Sequence, residues 1–103
     1  MSLRLPGGGT SRRLQTGVDT LDHEMAEEMA ISLGRAGERV AKAIAAYREA
    51  MADPDKRPAL LKDAARAVHA YFIQRELCGL RRHDDAIRHY GIPPEVLARL
   101  GAS

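Results

Sequence analysis

Tryptophan is absent from this 103-residue chain, and phenylalanine and cysteine occur once each. The single cysteine, Cys78, excludes an intramolecular disulfide, so the fold does not depend on an oxidising compartment. Four aromatic side chains, Tyr47, Tyr71, Phe72 and Tyr90, are the only ones of their size, and the 45% apolar content is otherwise rich in alanine. Alanines bury little area each, so the core of one such chain is thin, and a second subunit would supply missing burial. Long apolar runs are missing too. No stretch approaches a membrane span, and Met1 to Arg13 carries no apolar run of signal-peptide length, so the expectation is a cytoplasmic protein with no membrane contact.

Charge of one sign is also in short supply. Sixteen Lys and Arg face fourteen Asp and Glu, a formal net charge of +2. Neither half of the chain is strongly basic, and the two signs are interspersed as on a solvated helical surface. That balance disfavours nucleic acid as a partner, leaving Arg4, Arg12 and Arg13 as a weak electrostatic footprint.

What the chain does have is a rhythm. Ala26, Met29, Leu33, Ala36, Val40, Ala43, Tyr47 and Ala50 recur at alternating spacings of three and four, which puts them on one stripe of one long helix. Ahead of it, residues 1 to 15 hold Pro6, the run Gly7 to Gly9 and three arginines, and read as a mobile arm preceding a single helical domain over 16–103. Thr16 and Asp19 have capping character, which predicts a helix start between Thr16 and Thr20. From there the helix can run to Pro54, with Gly34 or Gly37 as the place for a break if one occurs.

The turn 53–58, bracketed by Pro54 and Pro58, is the clearest boundary, and Leu61, Ala64, Ala65, Val68 and Phe72 then continue at helical spacing through Leu77 and Leu80. A short loop between long helices predicts an antiparallel hairpin. Beyond Gly79, Asp84 or Asp85 can open a brief helix ending at Tyr90, with Gly91 as left-handed cap and Ile92 folded back on Ile87. Pro93 and Pro94 open a last short helix through Leu100.

Few residues suggest chemistry. Asp19, His23 and Glu27 stand at successive i, i+4 steps, as do Asp85 and His89, a spacing that can chelate a metal, although charged residues in early helical turns are ordinarily solvated. The glycine run lacks the lysine and preceding strand of a phosphate loop, so no cofactor is expected. Cys78 has Arg75, Arg81 and Arg82 nearby, which would favour a thiolate, but a small thiol beside Leu77 and Leu80 reads first as packing. His69 reads as a boundary residue and His83 as surface. The segment 86–100 has helix, glycine turn and helix, yet Pro93, Pro94 and Glu95 at the second start suit neither phosphates nor base edges.

The phrase Tyr71-Phe72-Ile73-Gln74-Arg75-Glu76-Leu77-Cys78-Gly79-Leu80, followed by Tyr90-Gly91-Ile92-Pro93 and Glu95-Val96-Leu97, resembles a group of small bacterial helical proteins classed as a domain of unknown function. The resemblance spans roughly Asp19 to Gly101 and implies a bacterial cytosolic protein without catalytic residues to carry over. Gln74, Arg75 and Glu76, with Arg81 and Arg82, form the polar set to test as a contact surface.

The resulting expectation is all-α: a long antiparallel hairpin with one or two short C-terminal helices, paired as a homodimer into a four-helix-type bundle. Met29, Leu33, Ala36, Val40 and Tyr47 form the expected dimer seam, with Leu60, Ala67 and Tyr71 as the matching flank of the second helix. The leading function is a non-enzymatic interaction or regulatory module. A metal-binding bundle enzyme and a weak nucleic-acid accessory protein are the alternatives.

Overall fold

The computed structural model describes residues 4–100, with side chains from Asp19 onward. Four helices follow in order: α1 Arg4–Glu49, α2 Arg57–Leu77, α3 Asp84–Tyr90 and α4 Pro94–Ala98, with no strand among the described residues. Contacts divide the chain into two compact units after Ile31, so α1 contributes to both.

In the first unit the backbone is helical from Arg4, well before the start expected between Thr16 and Thr20. Pro6 falls inside the first turn of that span, where its missing N–H has no intrahelical acceptor to serve. The arm expected over residues 1–15 lies outside the residues whose side chains are described. From Asp19 to Ile31 every residue is exposed.

The second unit holds the core. Ala36, Val40, Ile44 and Tyr47 of α1 are buried with Ala64, Ala65, Val68, Tyr71 and Phe72 of α2, closed at the end by Ala86, Ile92 and Val96. Gly37 lies against Tyr71, while Tyr47 carries Arg57 over its ring, 5.9 Å from the centroid. Late α1 therefore meets early α2, which makes the pair the antiparallel hairpin. It forms because 51–56 is a short turn closed by Asp53, whose Oδ1 accepts from the Asp55 and Lys56 amides at 3.1 and 3.4 Å.

Neither Gly34 nor Gly37 breaks α1. Gly34 faces open space, whereas a Cβ on Gly37 would run into the Tyr90 hydroxyl. The missing side chain at Gly37 makes room for a tyrosine, not for another backbone. Tyr90 in turn meets Tyr71 edge-on, with centroids 5.5 Å apart.

Two glycines turn the chain at helix ends. Past α2, Gly79 sits at φ 90° while the Leu80 amide donates to the Arg75 carbonyl at 2.9 Å and the Gly79 amide to that of Glu76 at 3.0 Å. The same pair of bonds closes α3: Gly91 at φ 58°, Ile92 to Ile87 at 3.0 Å, Gly91 to Arg88 at 3.3 Å. Both are Schellman ends, which satisfy the last carbonyls of a helix and reverse the chain within two residues. The first stops α2 at Leu77, short of the expected run through Leu80. The second matches the fold-back expected of Ile92 on Ile87. α4 ends at Ala98, also earlier than expected, and rests on α2 with Val96 fully buried.

Candidate functional site

The polar residues that stand closest together in the core unit gather where α2 ends and α3 begins. Arg75 is the centre. It is only 6% exposed and is the one charged residue buried among those described. Its guanidinium carbon lies over Tyr71, 5.7 Å from the ring centroid. Its Nε donates to His83 Nδ1 at 3.0 Å, and Nη2 donates to the Arg82 carbonyl at 2.9 Å and to Asp85 Oδ1 at 3.0 Å.

These bonds decide the state of His83. A guanidinium only donates, so Nδ1 must accept, and the proton of the neutral ring stands on Nε2. That nitrogen is 3.0 Å from Glu76 Oε2, which accepts from it. The ring also lies flat on Phe72, with centroids 4.1 Å apart and planes within 5°. His83 is thus held on a face and at both nitrogens, contrary to the surface role expected of it. Next to it, loss of solvent around Asp85 favours the neutral acid, but the Ala86 amide and Arg75 outweigh this and hold its carboxyl below the ordinary range.

The predicted contact set is only partly assembled here. Arg75, Arg81 and Arg82 line one surface cleft of about 630 Å³, together with Leu80, Asp85 and Arg88. Glu76 is turned to His83, and Gln74 is half-buried. Arg82 reaches Asp84 at 3.4 Å across an exposed pair. The cleft carries both signs, and its deepest cation is already bonded to its own loop and helix. Its bonds tie α3 and the 78–83 loop onto α2. Arg75 also turns toward His83 and Asp85, and Cys78 is half-buried.

A second tie fastens α4. The fully buried Tyr47 donates from its hydroxyl to Glu95 Oε2 at 2.9 Å. The amide of Glu95 itself, then Tyr47, hold that carboxyl below the ordinary range, and the hydrogen bond with Tyr47 also raises Arg57. Sequence reasoning missed His83, Asp85 and Glu95 as partners. Gly79 was the available signal, since a left-handed cap there sends the chain back toward Arg75.

The candidate metal residues divide. His23 Nε2 and Glu27 Oε1 are 3.7 Å apart on the exposed face of α1. Asp85 is engaged by Arg75, and His89 packs edge-on against Tyr90, with centroids 4.6 Å apart. Among the described residues no group of three or more His, Cys, Asp or Glu converges on one point. His69 is exposed, beyond the boundary position expected of it.

The expected dimer seam divides as well. Ala36, Val40 and Tyr47 are buried inside the single chain, as is Tyr71, and Leu33, Leu60 and Ala67 are partly buried against the same core. Ala36, Val40 and Tyr47 are thus taken up by the chain's own core and offer no surface to a second subunit, whereas Leu33, Leu60 and Ala67 keep part of their surface open. Met29 is different. It joins Leu21 and Met25, exposed by 36%, 60% and 60%, along a shallow groove walled by Glu24 and Glu28.

No helix among the described residues is long and apolar enough to cross a membrane. Residues 8–103 match the family described as a family of unknown function (DUF6665), and the chain belongs to that family. No curated protein and no solved structure matches it.

Proposed function

We propose that this DUF6665 member is a cytoplasmic bacterial protein that acts without catalysis, as a homodimeric interaction or regulatory module. The observation that carries this reading is the uncovered apolar strip Leu21, Met25 and Met29 on α1. Three large side chains at four-residue spacing on one helix face are a docking pattern, and a helix face of this kind gains stability by being covered. The polar clusters support the same reading. Arg75, His83, Glu76 and Asp85 bond to one another, and Tyr47 bonds Glu95, so these groups serve to hold helices together.

Sedimentation velocity on the whole chain at micromolar concentration tests the proposal. A concentration-dependent dimer is the expected result. A species that sediments as monomer throughout overturns it.

A further inference from the structure

The core unit carries a second uncovered apolar face. On α2, Ile73 is 45% and Leu77 70% exposed, and Leu80 in the following turn is 42% exposed. Lys62 and Arg66 stand on the same helix face, since the steps 62, 66, 73 and 77 are of four, seven and four residues. This face points away from the buried line Ala64, Val68, Tyr71 and Arg75. It is apolar at its C-terminal half and basic at its N-terminal half.

The groove on α1 is its electrostatic opposite. Leu21, Met25 and Met29 are flanked by Glu24 and Glu28, and Asp22 adds a third carboxylate on the other side. Two such grooves laid on each other would oppose carboxylate to carboxylate, which disfavours pairing of α1 with its own copy. Laid on the α2 face, the same groove brings apolar onto apolar and acid toward base. Leu21 to Met29 spans about 12 Å and Lys62 to Leu77 about 22 Å at 1.5 Å per residue, so the face is long enough to take the whole groove.

We infer that the occupant of the α1 groove is a second copy of this chain, which offers the face formed by Lys62, Arg66, Ile73 and Leu77. This rests on the homodimer proposed above and names its interface. Each copy carries both faces, so either copy offers a groove and a face to the other. The buried part of the heptad stripe takes no part in it.

Charge reversal tests this on the full chain. Glu24→Lys with Glu28→Lys makes both faces basic, and Lys62→Glu with Arg66→Glu makes both acidic. Each doubly substituted chain is expected to sediment as monomer where the natural chain is a dimer. An equimolar mixture of the two is expected to restore the dimer, because every contact then joins opposite charges. All four positions are exposed, so the circular dichroism spectrum of each variant should match that of the natural chain. If the natural chain is a dimer and both variants stay dimeric, the homodimer stands and this interface is overturned. If the variants are monomeric but their mixture is too, the pairing of these two faces is likewise overturned. A natural chain that is monomeric throughout removes both the interface and the reading beneath it.

Discussion

Two apolar strips of α1 have opposite fates. Between Ala36 and Ala50 the stripe is buried, with Val40 and Tyr47 wholly out of solvent. Between Leu21 and Met29 the helix is exposed on every side. The residues explain the difference. Past Ser32 the helix gains a branched and aromatic series, Val40, Ile44 and Tyr47, which α2 covers with Val68, Tyr71 and Phe72. Earlier it offers a leucine and two methionines among Asp22, Glu24, Glu27 and Glu28, a flexible apolar strip in an acidic setting. Periodicity tells which face of a helix is apolar, but what covers that face is set by where the chain returns.

That contrast makes mutations in the two regions unequal. The largest effect is expected at Tyr47→Ala, which removes a buried ring and leaves Glu95 without its donor; a loss of about 3–5 kcal/mol in denaturant unfolding is expected. A loss under 1 kcal/mol would mean that this half is not the core. Arg75→Met keeps the apolar stem but removes the donors to His83, Arg82 and Asp85, and should cost about 2–3 kcal/mol. Arg75→Lys should recover only part of it, because an ammonium cannot reproduce the guanidinium fork.

The two glycines sharpen the comparison further. Gly37→Ala should destabilise by about 1–3 kcal/mol through its clash with Tyr90, and adding Tyr90→Phe should relieve part of it, since the ring carbon Cζ still stands 3.2 Å from the new Cβ. Gly34→Ala meets nothing and should stabilise by up to about 1 kcal/mol. Equal responses at the two sites would contradict the packing of Tyr90 on α1.

Acid should act on the core unit through two carboxyls. Asp85 and Glu95 have folded pKa values below their unfolded ones, so their contribution is present above the ordinary carboxylate range and is lost as pH falls through the folded values. Combining Asp85→Asn with Glu95→Gln should flatten the fall in melting temperature on the acid side. Tyr90 works at the other end: burial, then Tyr71, raise its pKa, so its contribution is present below the ordinary tyrosine value and is lost as pH rises through the raised one. The smallest effect is expected from Met25→Ala. On the exposed half it should leave the stability of the core unit within about 0.5 kcal/mol, read by hydrogen exchange of α2 amides.

Much of the fold was legible because its signals are local. Pro54 and Pro58 mark the hairpin turn, Gly91 marks the end of α3, and Pro94 opens α4, each through a backbone property that holds in any context. The polar cluster was half legible. Arg75 and Glu76 stood out in the phrase that carries the family resemblance, but their partners His83 and Asp85 lie past the reversal at Gly79, and hydrogen-bond partners across a reversal leave no spacing signature.

The sequence by itself determined that this is a helical protein with a proline-bounded return and one or two short closing helices, because propensity, capping and turn chemistry act over a few residues. Only the tertiary structure decided that Val40 and Tyr47 belong to one chain's own core while Leu21, Met25 and Met29 stay open, and that Arg75 is buried and closed by His83 and Asp85. Those outcomes depend on which side chains the returning helix brings within reach. Burial and hydrogen bonding are properties of such pairs and not of single residues.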